Sequence, residues 1–262
     1  MSNLVDKLNN LNKAFTPAMG FRSVDTGERP SCMLIMVELA GKTGEEIKAL
    51  AGAGIAAGLI DASGLTSAAL SKLIKDSDEL CIGLVLANGK QSGQKSANGD
   101  IDFIVFEPSL PLSIFEGREL ENTGKVIKLD ISADAGLLRS VNNLYPGVDA
   151  VLIDLPVSTL TVENMMACRR VADFSGQPVI ARVGNSLSKS ELAALREAGV
   201  KCLLLKSDAG VDDAKSVIDA IAALPKPDKK KARNGIALVP SVGMGFGTRK
   251  EDDNGSDDDD DD

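Results

Sequence analysis

Eight short apolar runs begin at residues 33, 57, 80, 103, 126, 150, 178 and 202, so one pattern returns about every 24 residues. The runs read MLIMVEL, AGLIDAS, LCIGLVL, FIVFEP, VIKLDIS, AVLIDLP, PVIARVG and CLLLKSD. Their apolar residues fall on both parities, as expected of strands in a parallel sheet covered on both faces. A repeat of this length leaves room for one strand and one helix per unit, which restricts the chain to a few α/β architectures.

The segments between the runs carry helix patterns with explicit start and stop residues. In TGEEIKALAGAG (43–54) Thr43 is followed three residues later by Glu46, and in SKSELAALREAG (188–199) Ser188 is followed by Glu191 and closed by a glycine. These are capping-box and C-terminal glycine patterns. TSAALSKLIKDS (66–77), TVENMMACRRVADFSG (161–176) and VDDAKSVIDAIAAL (211–224) have the same character. Eight such units in 262 residues predict a closed (β/α)8 barrel, a fold of roughly 250 residues.

Two connections depart from the rhythm. NGKQSGQKSANGD (88–100) has no apolar stripe, and PSLPLSIFEGRELENTGK (108–125) has room for only a short helix. The third and fourth helices are therefore expected to be short or missing, and the first of these segments is also placed to serve as a lid over a strand end. Residues 1–31 form an N-terminal extension in which Leu4, Leu8, Leu11 and Phe15 share one helical face. We expect that face to plug the bottom of the barrel, a subunit contact being the alternative. The barrel is expected over 32–226, a basic linker and C-terminal segment over 227–250, and a disordered acidic tail over 251–262.

Composition removes several functions. The chain has no histidine, which excludes Ser-His-Asp and Cys-His triads and histidine-ligated metals. It has no tryptophan and one tyrosine, Tyr145, so a base-stacking nucleic-acid platform is not expected. The last twelve residues hold nine acidic side chains, which equals the whole net charge of −9, so the rest of the chain is neutral overall. The basic stretch KPDKKKARNG reads as a solvated linker, and GMGFG near the C-terminus opens no βαβ unit and reads as a turn. Cys32, Cys81, Cys168 and Cys202 form no CxxC pair and lie mostly in apolar segments, where a free thiol acts as a small hydrophobe. With no membrane-spanning run and a polar N-terminus, a cytoplasmic protein without membrane contact is expected.

Side chains alternate faces along a strand, so parity selects which polar residues share the barrel interior. On one parity lie Leu34, Met36 and Glu38; Leu59 and Asp61; Phe103, Val105 and Glu107; Lys128 and Asp130; Leu152 and Asp154; Ile180 and Arg182; and Cys202, Leu204 and Lys206. Seven of the eight runs thus end in an ionisable residue on a single face. Charges in two-sided buried strands are costly unless paired, and in barrel enzymes the C-terminal mouth, where strand ends converge, is the active site. The competing reading is a neutralised ion network with a structural role alone.

Three chemistries suit such a ring. Lys128 or Lys206, with its pKa lowered by burial and a neighbouring cation, would serve as base or Schiff-base amine beside Asp130 and Asp154 as acid/base groups. Glu38, Asp61 and Glu107 would hold Mg²⁺ through oxygen ligands. The cations, Arg182 foremost, would otherwise bind an anion without turnover.

The segment PVIARVGNSLSKSELAALREAGVKCLLLKSDAG (178–210) resembles the seventh strand, helix and eighth strand of the phosphate-binding TIM barrels, such as indole-glycerol-phosphate synthase and thiamine-phosphate synthase. The resemblance covers about an eighth of the chain. It implies that turns after strands seven and eight present backbone N–H groups to a phosphate, here from Gly184, Ser186, Ser207 and Gly210. The chain departs from the family in having Arg182 and Val183 before its first turn and Asp208 in its second; the family's early-strand lysine and glutamate motifs have no counterpart. The activity expected at the C-terminal mouth is lyase, aldolase or isomerase chemistry on a small anionic or phosphorylated metabolite. A non-catalytic binding or scaffold barrel is the first alternative. A flavin-dependent oxidoreductase seating FMN by its phosphate is the second.

Overall fold

A computed structural model describes residues 2–13, 31–61, 67–75, 80–86, 101–115, 122–144, 147–156 and 159–225. The expected lid segment, the linker and C-terminal segment, and the acidic tail lie outside these residues. The chain begins with helix α1 (Asn3–Lys13), then strand β1 (Leu34–Glu38), α2 (Gly44–Gly52), β2 (Ala57–Asp61), α3 (Ser67–Lys75), β3 (Cys81–Val85) and β4 (Phe103–Phe106). It continues with β5 (Gly124–Leu129), α4 (Ala135–Ser140), β6 (Ala150–Asp154), α5 (Val162–Ser175), β7 (Val179–Val183), α6 (Lys189–Glu197), β8 (Val200–Leu205) and α7 (Val211–Ala222). All neighbouring strands pair in parallel and β8 closes on β1. The protein is a (β/α)8 barrel.

The helix starts follow their side chains. Thr43, Thr161 and Ser188 each accept a hydrogen bond from the backbone N–H three residues on, and the side chains of Glu46, Asn164 and Glu191 accept one from the backbone N–H of the cap. Gly176 ends α5 in the left-handed region at φ 64°, a conformation open to glycine at little cost. Helix α4 is not among the helices expected from sequence; its start is set by Asp134 accepting from the N–H groups of Gly136 and Leu137. Among the described residues between β4 and β5 the only helical turn is a 3-10 turn at Leu112–Ile114, in line with the expected shortening.

Two apolar layers hold the barrel. Outside the strands, Ile35, Val37, Ile60, Ile82, Ile104, Ile127, Ile153 and Leu203 pack beneath the helices. Inside, Met36, Leu59, Phe103, Val105, Val126, Leu152, Ile180 and Leu204 fill the interior. The inner set has the parity read from the sequence. Gly83 belongs to it because a Cβ there would stand 2.1 Å from the Phe103 ring, so the glycine admits the largest interior side chain.

Helix α1 closes the bottom. Leu4 and Leu8 are fully buried with the interior set, and Asp102 caps the helix by accepting from Ser2 Oγ, Asn3 N–H and Leu4 N–H at 2.8, 2.6 and 2.9 Å. Strand β5 starts at Gly124, two residues before the expected run, and a Cβ there would meet Ser2 and Val5 of the plug. Leu4 and Leu8 thus cover the bottom of the apolar interior. The other end is polar.

Candidate functional site

Five strands end their inward face in a partly exposed charged residue, Glu38, Asp61, Lys128, Asp154 or Arg182, above the last apolar layer. Leu59, Val85, Val105 and Leu152 form the floor of a cavity of about 420 Å³, and Glu38, Asp61, Glu107, Lys128 and Arg182 stand around it. Five residues read from strand parity therefore line one space. Ser109 and Leu110, which follow β4, complete the rim and had no sequence pattern to mark them.

The charges alternate in sign along an arc. Lys128 Nζ lies 3.3 Å from Glu107 Oε1 and 3.2 Å from Asp154 Oδ2. Arg182 Nη1 lies 3.6 Å from Asp154 Oδ1, and Arg182 Nη2 donates to Glu38 Oε1. The order Glu107, Lys128, Asp154, Arg182, Glu38 follows the strand ends, since Lys128 on β5 sits one strand from Asp154 on β6, which is paired in register with Arg182 on β7. Asp154 is the shared carboxylate at its centre.

This arrangement changes the role expected of Lys128. Burial alone would lower its pKa, but the hydrogen bonds and charges of Asp154 and Glu107 outweigh burial and hold the ammonium above the ordinary lysine value. The neighbours are carboxylates, not the cation expected from sequence, so Lys128 is a protonated group at neutral pH rather than a free amine. Its ammonium has three N–H donors and spends two of them on the arc. Burial pulls the Arg182 guanidinium below its usual value, yet the starting value is so high that it keeps its charge.

Two residues stand apart from the arc. Asp130 is exposed and accepts from Ser132 Oγ and Ser132 N–H, bonds that lower its pKa and tie it to the turn after β5. It does not line the cavity. Lys206, half-buried beyond β8, has no side-chain ion pair among the described residues. Glu38, Asp61 and Glu107 do not form a metal-holding cluster: among the described residues no three His, Cys, Asp or Glu come together in that way. The reason is visible in the arc, where Arg182 engages Glu38 and Lys128 engages Glu107. Mg²⁺ is not fitted by this donor set.

The turns after β7 and β8 are joined by a residue that no sequence motif singles out. Asn185 accepts from the Lys206 N–H at 3.1 Å and donates from Nδ2 to Asp208 Oδ1 at 2.6 Å. Gly184 is buried, Ser186 is exposed and Ser207 is half-buried beside this strut. Gly210 precedes α7, but its N–H donates to Asp213 Oδ2 at 2.9 Å, so the helix closes its own cap with a carboxylate. Asp208, Asp212 and Asp213 leave this corner unfavourable for a bound phosphate, and the FMN phosphate expected there meets the same charges.

Neither a protein-family model nor a curated protein matches the sequence. Solved structures do resemble the fold. A mutant tryptophan synthase alpha-subunit from the hyperthermophile Pyrococcus furiosus superposes with a TM-score of 0.57 at 15% identity, covering 73% of this chain and 98% of that one. Another structure of the same subunit, studied by X-ray analysis and calorimetry, gives 0.57 at 14% identity over the same shares. The likeness defines a (β/α)8 barrel and, at this identity, nothing finer. No helix among the described residues is long and apolar enough to cross a membrane.

Proposed function

We propose that the barrel is an enzyme of lyase, aldolase or isomerase type acting on a small polar metabolite at its C-terminal mouth. The observation that carries this reading is the cavity of about 420 Å³ lined by Glu38, Asp61, Glu107, Lys128 and Arg182. Lys128, protonated and with one donor unspent among the described residues, would serve as general acid or would stabilise charge developing on a substrate oxygen. Arg182 would orient a substrate carboxylate or phosphate, and Lys206, beyond β8 and outside the residues that line the cavity, would add a third cation. The resemblance of residues 178–210 to phosphate-binding barrels and the fold of the tryptophan synthase alpha-subunit support the same class. The Gly210 N–H already engaged by Asp213 favours an anion held by the side-chain cations of the mouth over one held by backbone at this corner.

The non-catalytic reading has one specific observation in its favour. Both cations of the arc already have two carboxylate partners, as a purely structural ion network requires. Proton exchange separates the two. The full chain is incubated in D₂O with a panel of small hydroxy, keto and phosphorylated acids, and loss of C–H signals is followed by ¹H NMR. With a carboxylate of the cavity such as Asp61 taking the proton from carbon and Lys128 stabilising the enolate oxygen, acid/base chemistry predicts catalysed exchange in at least one acid, lost in Lys128→Met. No exchange across the panel contradicts the enzyme reading.

A further inference from the structure

A second cavity adjoins the mouth on the outer side of the barrel wall. It measures about 150 Å³ and lies between the outward faces of β4 and β5 and helix α4, under Leu112, Phe115, Ile127, Leu129, Leu137 and Leu144. Phe106, Glu107 and Leu110 line both cavities, so the two meet at the rim of β4. The groove exists because the described residues between β4 and β5 offer only the 3-10 turn at Leu112–Ile114 where other units of the barrel lay down a helix.

Its walls are unusual for a surface. Leu112 is 66% exposed, Leu137 46% and Leu144 39%, three of the five large apolar side chains exposed among the described residues. Exposed apolar groups gathered at one concavity mark a binding surface more often than scattered ones do. A dry cavity of about 150 Å³ lined by Leu, Ile and Phe is known to hold a benzene ring.

We propose that this groove seats an uncharged ring-sized group of the ligand whose polar end lies in the mouth. The ligand is then a two-part molecule, an aromatic or compact aliphatic group joined by a short link to a polar head. The head lies among Glu107, Lys128 and Arg182, and the link crosses the rim at Phe106 and Leu110. The proposal rests on the mouth being a ligand site, and the wall of Phe106, Glu107 and Leu110 that the two cavities share is what assigns the groove to the same molecule.

The test uses the full chain with ¹³C-labelled Leu and Val methyls and two probes that differ by one ring, propionate and 3-phenylpropionate. The expected result is at least tenfold tighter binding of 3-phenylpropionate, with shifts at the methyls of Leu112, Leu137 and Leu144. That advantage disappears in Leu137→Glu and, independently, in Leu112→Glu, both substitutions at exposed positions. Equal binding of the two acids, or an advantage untouched by both variants, overturns the proposal. Benzyl alcohol separates it from the reading of the mouth. Shifts at the groove methyls with this uncharged probe support the groove, and their absence overturns it. Failure of propionate to move the methyls of Leu59 and Leu152 counts against the mouth alone.

Discussion

Lys128 Nζ stands 3.2 Å from Asp154 Oδ2, joining the ends of neighbouring strands β5 and β6. The contact holds Lys128 protonated, and the same carboxylate turns its other oxygen toward Arg182. One aspartate therefore holds Lys128 and lies within ion-pair distance of Arg182, whose hydrogen bond goes to Glu38. Its removal reports on the whole arc.

Asp154→Asn is expected to lower the Lys128 pKa, read from the pH titration of its ¹³Cε signal, and to cost on the order of 1 kcal/mol of stability, since both groups are partly solvated. The sign follows from the raised folded pKa. The stabilisation is fully present below the pKa of an unfolded lysine and is lost as pH rises through the higher folded value. Urea melts of parent and variant should converge as pH climbs through that alkaline window. A gap that stays constant there would mean that Lys128 gains nothing from Asp154.

Arg182→Met leaves Glu38, only 17% exposed at its side chain, without its cation. The expected loss is roughly 2 kcal/mol, smaller than for a fully buried pair because solvent reaches Arg182. Glu38→Met combined with Arg182→Met should recover most of it, since two apolar groups need no partner. Urea denaturation of the four proteins gives the coupling directly.

Much of this arc is legible in the amino-acid sequence alone. Strand period two and the charged residue ending seven apolar runs place Glu38, Asp61, Glu107, Lys128, Asp154 and Arg182 on the inner face, because in a closed parallel barrel parity has only two outcomes. Parity does not fix who pairs with whom. The cation expected beside Lys128 is replaced by Asp154 and Glu107, which lateral register sets there. Asp130 has the inward parity too, but it lies past the end of β5, where Ser132 captures it in a turn. Asn185 joins two loops 21 residues apart in sequence, and no local pattern announces such a contact. Helix α4 escapes a sequence pattern because six residues carry too little periodicity, and only Asp134 marks its start.

Gly83→Ala should be among the costliest small substitutions in the barrel. The added methyl would lie 2.1 Å from the ring of Phe103, which is fully buried and cannot swing out. Overpacking of this kind costs about 1–3 kcal/mol. Phe103→Leu in the same chain should restore part of the loss in thermal melts, and a Gly83→Ala protein as stable as the parent would displace Phe103 from its assigned place.

Thiol chemistry follows burial. Cys202 is fully buried and its pKa is pushed far up, burial lifts Cys168 to about 11, and burial also raises Cys81. Cys32 is half-buried at the start of β1. With a disulfide reagent at neutral pH, Cys32 should label first, and the other three only as urea opens the barrel. Rapid native labelling of Cys202 would contradict the interior packing.

The central claim is that the ionic mouth is a ligand site and not a neutralised plug. A thermal-shift titration of the full chain with small carboxylic acids and inorganic phosphate tests it most directly, run beside Lys128→Met and Lys206→Met. The account predicts a saturable rise in Tm with at least one carboxylic acid, larger than with phosphate, and reduced in both variants. No stabilisation by any of these anions would contradict it.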